Sequence, residues 1–117
     1  MKVFIIGSRK FHDQIGEFVH LCRLQSIDAL LPGKDLKSKG EEESKSLLEA
    51  FGMIKDADLV YVFAENGYLG LTGAIELGFT LGLEKTIVSS EVLGEKHLNL
   101  MINRFLTPDQ FLLEYGN

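Results

Sequence analysis

The chain has one cysteine, Cys22, among its 117 residues, which excludes an intrachain disulfide and a clustered-thiol metal site. Basic residues are too few for a nucleic-acid surface, because 12 lysines and arginines stand against 17 acidic residues. No apolar run approaches the roughly 18 residues of a membrane span, and the opening run is too short for a signal peptide. We therefore expect a cytoplasmic protein that binds neither nucleic acid nor membranes.

Short apolar runs alternate with amphipathic stretches along the whole chain. Runs rich in β-forming residues predict strands over residues 3–6, 28–31, 59–63 and 86–89, with a short edge strand at 104–105. Helical spacing of apolar residues predicts helices over 12–26, from 41 onward, over 72–83 and after Pro108. A polar loop is expected over residues 34–40.

This alternation predicts a single α/β domain over residues 1–117 with a flavodoxin-like or Rossmann-like three-layer fold. Strands separated by helices form βαβ units, so the sheet of about five strands should be mainly parallel, with helices on both faces. The expected strand order is 2-1-3-4-5. Ligands of such sheets bind beyond the carboxyl ends of the strands, so the loops after strands one and three should line the site.

The loop after the first strand, Gly7-Ser8-Arg9-Lys10, is one candidate binding segment. Gly7 allows close backbone approach, Ser8 offers a hydroxyl, and the first amides of the next helix could seat a phosphate. Arg9 and Lys10 could add positive charge. Neither the P-loop signature nor the three-glycine dinucleotide fingerprint is present. A plain strand-to-helix turn is the alternative.

The helix after the third strand holds Glu76 among small residues. Thr72 is a candidate N-cap, and Ala74, Gly78 and Gly82 recur every four residues, which predicts a flat face pressed against the sheet. Glu76 should then lie in the first turn, on another ridge aimed at the cleft. The helix dipole is expected to favour its ionised form, which a nucleophile needs. A helix-start acid without a catalytic role is the alternative.

Other residues with chemical potential have simpler explanations. His12, His20 and His97 are far apart and lack metal-ligand spacing, so surface or packing roles are expected. Cys22 falls in a helical apolar pattern and is predicted to be a buried thiol. Asp58 precedes the third strand, at the end of the sheet away from the cleft, where a structural role is expected. No metal site is predicted.

Several segments resemble the nucleoside 2-deoxyribosyltransferase-like superfamily, which includes the 2′-deoxynucleoside 5′-phosphate N-hydrolases. They are residues 57–63, Asn66-Gly67-Tyr68-Leu69-Gly70, Glu76-Leu77-Gly78-Phe79 and Lys85-Thr86-Ile87, with Gly7-Ser8 after the opening strand. The resemblance covers about residues 2 to 90. It is closest to small members whose loop reads Asn-Gly-Tyr-Ile/Leu-Gly.

The resemblance implies a fold and an activity. It implies that Glu76 attacks the anomeric carbon of a nucleoside or nucleotide, as in a retaining glycosidase, without a cofactor. It places Gly7 and Ser8, with Arg9 beside them, at a 5′-phosphate. Asn66, Gly67, Tyr68 and Gly70 form the other candidate substrate-binding loop, in which Tyr68 either stacks on a base or packs within the loop.

The resemblance also implies a homo-oligomer in which a neighbouring chain helps to close the site. The apolar stretch over residues 93–105 is the expected interface.

Two positions depart from the family pattern. Family enzymes carry an Asp on the helix before the third strand, where this chain has Ala50, with Glu49 out of register. They carry an Asp or Ser six residues before the glutamate, where this chain has Gly70. A catalytically silent nucleotide-binding module is therefore the alternative function.

Overall fold

A five-stranded parallel sheet forms the centre of this computed structural model, which describes residues 1–32 and 41–117. The strands are β1 (Lys2–Gly7), β2 (Asp28–Leu30), β3 (Leu59–Phe63), β4 (Ile87–Ser89) and β5 (Arg104–Phe105). They lie in the order β2-β1-β3-β4-β5, and every pairing is parallel. The predicted fold class and strand order are confirmed. The loop predicted over residues 34–40 lies outside the described residues.

Five helices connect and flank these strands in the described part of the chain. They are α1 (His12–Leu24), α2 (Glu41–Asp56), α3 (Leu71–Gly82), α4 (Lys96–Asn99) and α5 (Pro108–Tyr115), and a short 3-10 turn over Arg9–Phe11 precedes α1. The helix after Pro108 begins where its sequence signal lies, because Thr107 and Gln110 form a reciprocal capping box. Within residues 1–32 and 41–117, no helix has the length and apolar character that crossing a bilayer needs.

The sheet buries side chains on both faces, which is why β3 is apolar throughout. On one face, Phe18 of α1 and Phe111 of α5 pack against Tyr61 at ring distances of 4.9 and 4.5 Å. Cys22 belongs to this cluster, and burial raises the pKa of its thiol to about 11. On the other face, α2 and α3 cover the sheet through side chains that include Ile54 and Leu77.

Helix α3 begins at a different residue, and packs a different face against the sheet, from those that the sequence predicts. Gly70, not Thr72, is its N-cap, and no side chain caps it. The buried residues of α3 are Gly73, Glu76, Leu77 and Thr80. Gly78 and Gly82 are exposed, and no atom lies within 4 Å of the place a Cβ would occupy at either. The prediction that the glycines face the sheet is wrong, because burying Leu77 removes more apolar surface from water than burying a glycine.

Candidate active site

A cavity of about 380 Å³ opens beyond the carboxyl end of β1, between the starts of α1 and α3 and the side of α2. Its volume falls in the range of ligand pockets, about 300–1,000 Å³. Its buried wall is formed by Ile5, Ile15, Gly73 and Glu76. Its exposed rim is formed by Gly7, Arg9, His12, Leu71 and Thr72. The cavity lies at the edge of the sheet where the sequence predicts the site.

Glu76 is the only acidic residue among the described residues that line this cavity. The residue as a whole is only 6% exposed. Its backbone carbonyl accepts a hydrogen bond from Thr80 Oγ1 at 2.7 Å. Within the described residues, its carboxylate has no hydrogen-bond or ion-pair partner.

Burial raises the pKa of Glu76 from its ordinary value of 4.5 to about 7. Desolvation disfavours the charged form of a carboxyl. The sequence prediction that the helix dipole keeps this group ionised is therefore wrong. Because α3 begins at Leu71, Glu76 is its sixth residue and lies in the second turn, where the dipole effect has largely faded.

Gly73 allows the start of α3, and with it Glu76, to lie close to β1. A Cβ at Gly73 would lie 3.2 Å from Ile6 Cγ2 and 2.6 Å from Leu69 Cδ1. The absence of a side chain therefore lets the start of α3 approach β1 closely. This approach brings Glu76, one turn further along, to the end of the strand.

The cavity is lined by Gly7, the last residue of β1, and by Ser8 and Arg9, which follow it. Ser8 caps the 3-10 turn, and its Oγ accepts a hydrogen bond from the Lys10 amide at 3.2 Å. Helix α1 begins only at His12. This start agrees with the predicted helix over residues 12–26, and the amides that directly follow Ser8 belong to the 3-10 turn and not to α1.

Of the candidate substrate-binding residues in the loop after β3, one contributes to the cavity. Gly70 lines the cavity, whereas Asn66, Gly67 and Tyr68 do not. Asn66 and Gly67 adopt positive φ angles of 56° and 74°, typical of a tight turn. The Gly67 amide donates to Glu91 Oε2 at 2.6 Å, and its carbonyl accepts from the Gly94 amide at 2.8 Å. These bonds fix the turn against the loop after β4.

Tyr68 borders the cavity without lining it. Lys10 Nζ lies 4.0 Å from its ring centre, and Phe11 meets the ring edge-on at 6.3 Å. Its hydroxyl lies 3.5 Å from the place a Cβ would occupy at Gly70. The two candidate loops therefore touch each other through Tyr68, beside the rim.

Three polar side chains line the cavity that the sequence does not single out as site residues: His12, Ser46 and Thr72. His12, expected in a surface or packing role, begins α1 at the rim. Ser46 lies one helical turn before Ala50 and directly follows the polar run of residues 41–45, which carries no sequence signal of a site. Ala50 itself is fully buried in the core and does not line the cavity.

Asp58 lies at the opposite end of the sheet, where its carboxylate accepts a hydrogen bond from the Lys2 amide at 2.7 Å. In the described part of the chain, no group of three or more His, Cys, Asp or Glu side chains is arranged to hold a metal ion.

No protein-family model and no curated protein sequence matches the chain. Solved structures are similar in fold. A 2-deoxyribosyltransferase from Bacillus psychrosaccharolyticus superposes with a TM-score of 0.73 at 15% identity, covering 100% of this chain and 93% of its own. A CMP N-glycosidase from Clostridium botulinum superposes with a TM-score of 0.60 at 14% identity, covering 97% and 96%.

A 2-deoxyribosyltransferase from Leishmania mexicana gives a TM-score of 0.57 at 19% identity, covering 77% of this chain and 65% of its own. The chain therefore shares its fold with these two 2-deoxyribosyltransferases and this N-glycosidase.

Proposed function

We propose that this protein cleaves the N-glycosidic bond of a nucleoside or nucleoside 5′-monophosphate, with Glu76 as the nucleophile. The observation that carries the proposal is that Glu76, a largely buried residue whose carboxylate has no partner among the described residues, lines a ligand-sized cavity. The fold supports it, because the similar structures include an N-glycosidase and 2-deoxyribosyltransferases.

The reaction proceeds in two displacements. A Glu76 oxygen bonds to C1′ of the sugar while the bond from C1′ to the base nitrogen breaks, and the leaving nitrogen keeps the electron pair and takes up a proton. Water then displaces Glu76 in a hydrolase, or a second base does so in a transferase. The sugar carries positive charge in both transition states, and a carboxylate in a poorly solvated wall attracts that charge strongly.

The protonation state of Glu76 controls the first step, because only the ionised carboxylate attacks. With a pKa of about 7, close to half of the free protein is in that form at neutral pH. The developing positive charge on the sugar favours ionisation further. Burial thus has two effects on Glu76. It leaves the ionised carboxylate poorly solvated and therefore reactive, and it lowers the fraction of the protein in which the carboxylate is ionised.

The cavity rim suits a substrate that carries a negatively charged group. Arg9 and Ser8 line the cavity at its exposed edge. A 5′-phosphate held there would leave the sugar to reach inward toward Glu76. The whole chain carries a formal net charge of −5, so an anion is attracted to this edge only through a local cation such as Arg9.

Catalytically silent nucleotide binding is the second candidate. It is favoured by Ala50 and Gly70, which offer no side-chain acid to protonate the leaving base. Polar side chains that line the same cavity and could donate a hydrogen bond to the leaving base include His12, Ser46 and Thr72.

Base release from a panel of ribonucleosides, 2′-deoxynucleosides and their 5′-monophosphates, measured by liquid chromatography, tests the two candidates. The Glu76→Gln variant should lose activity by several orders of magnitude, because glutamine keeps the size of the side chain but removes the attacking charge. Glu17→Gln, on the exposed side of α1, is the matched control and should keep full activity.

An active wild type whose Glu76→Gln variant keeps its rate would refute the nucleophile. Calorimetric binding of a 5′-monophosphate without any base release would favour the silent module.

A further inference from the structure

His12 and Glu76 line the same cavity from opposite faces of the sheet. Helix α1 packs on the face that holds Ile5, whereas α2 and α3 pack on the face that holds Ile6. The cavity lies beyond the end of β1, where the sheet no longer separates these two sides. A ligand in the cavity therefore has α1 on one side and the helices α2 and α3 on the other.

The position of His12 follows from the way α1 packs on β1. Ile15 lies over Gly7, the last residue of the strand, because a Cβ at Gly7 would overlap the Ile15 side chain. His12 precedes Ile15 by one helical turn and therefore lies on the same face of α1. Ile15 is buried, whereas His12 is exposed at the rim. In the part of the chain that the structure describes, no hydrogen bond or ion pair occupies the His12 ring, so its nitrogens are available to a ligand.

The chemistry of the proposed displacement determines where a group that assists the leaving base has to lie. A nucleophile approaches C1′ from the side opposite to the bond that breaks, so the base departs across the sugar from Glu76. The carboxylate and the assisting group therefore flank the scissile bond. Since Glu76 belongs to α3, the assisting group has to come from α1 or from the segment that leads into it.

Position also separates the polar side chains of the cavity wall. Thr72 lies on α3 and Ser46 on α2, so both share the side of the nucleophile. On the side of α1, Ser8 Oγ already caps the 3-10 turn. Among the described residues that line the cavity, Arg9 and His12 are then the polar side chains of that side that remain.

Arg9 and His12 together match the shape of a nucleotide. In a natural nucleotide, the base and the carbon that carries the 5′-phosphate project from the same face of the sugar. A phosphate held at Arg9 therefore places the base on the side of α1, beside the next turn of the chain, which begins at His12. The opposite face of the sugar is left to Glu76.

We propose that His12 is a catalytic residue that donates a ring N–H hydrogen bond to the departing base, a role that rests on the proposed function. As a Glu76 oxygen bonds to C1′, the bond from C1′ to the base nitrogen breaks and its electron pair stays on the base. The hydrogen bond from His12 stabilises the negative charge that develops there, and imidazole has an N–H to donate in each of its protonation states. The base then takes a proton from water at the open rim, and the proton released by the incoming water or second base restores the balance.

The dependence of the rate on the leaving base tests this role. One substrate is the nucleotide that wild type cleaves fastest, and the other is the same nucleotide methylated on a ring nitrogen so that its base is cationic. Nicotinamide mononucleotide serves as the cationic substrate where the preferred base cannot be charged in this way. A cationic base leaves as a neutral molecule, so no negative charge develops on it and no donor is needed.

His12→Phe keeps a ring at the rim but has no donor. It should lose about 100-fold in kcat/KM for the neutral base, the size expected for one donor aimed at a developing charge, and little for the cationic base. His12→Gln keeps an N–H and should recover part of the loss. His20→Phe is the matched control and should leave both rates unchanged, because His20 is exposed on the same helix and does not line the cavity.

Equal losses on the two substrates, or no loss on either, would overturn the role of His12. His12→Ala gives the same contrast if the phenylalanine variant fails to fold, as judged by circular dichroism. Glu76→Gln separates this failure from that of the proposed function, because it should abolish release of both bases even where His12→Phe changes neither. A wild type that releases no base from any nucleotide would overturn the proposed function and the role of His12 with it.

Discussion

Replacing Glu76 by glutamine should stabilise the protein at neutral and alkaline pH. Natively, the carboxyl has a pKa of about 7, whereas in the unfolded chain it returns to about 4.5. Below pH 4.5 both states hold the proton, so the group does not affect stability. Between pH 4.5 and 7 the unfolded chain releases the proton while the folded chain keeps it, and the free energy of unfolding falls as the pH rises.

The size of this effect follows from the pKa difference. At about 1.36 kcal/mol per unit, a rise from 4.5 to about 7 corresponds to about 3 kcal/mol above pH 7. Glutamine occupies the same space without the buried charge, so Glu76→Gln should recover most of that amount. For a chain of this size the gain corresponds to roughly 10 °C in Tm.

Urea unfolding of wild type and Glu76→Gln, followed by circular dichroism from pH 4.5 to 8.5, measures this difference. The gain should be below about 0.5 kcal/mol at pH 4.5 and should reach about 3 kcal/mol at pH 8.5. Glu17→Gln, at an exposed position, should show no comparable trend. A gain independent of pH, or a loss at pH 8.5, would show that burial does not disfavour the Glu76 charge.

Three further outcomes are expected. If Glu76 is the nucleophile, kcat/KM for base release should rise with pH around a midpoint of about 7, and a fall over that range would instead assign it as a proton donor. Arg9→Met should raise KM roughly tenfold for a 5′-monophosphate but little for the nucleoside, and an equal effect on both would exclude a phosphate contact. Ala50→Asp should destabilise by several kcal/mol because it buries an unpaired carboxylate, whereas Ser46→Asp, at the cavity, should cost far less in the same urea titration.

Strands, helix order and topology could be predicted from the sequence because they rest on local patterns and general rules. The continuous apolar run of β3 is typical of a strand buried on both faces, and the alternation of strands with helices leaves little choice but a parallel sheet. The edge of the sheet that holds the cavity follows from the same topology. The starts of α2 and α5 were also predictable, from Glu41 and Pro108.

The orientation of α3 and the chemistry of Glu76 were decided only by tertiary structure. Periodicity separates the faces of a helix, but α3 is apolar on both, so only packing against β1 shows that Leu77 turns inward and Gly78 outward. The raised pKa of Glu76 depends on how much water the surrounding chain removes, which no local pattern encodes. His12 and Ser46 join the cavity for the same reason, since residues distant in the sequence become neighbours only when the sheet and its helices close around that space.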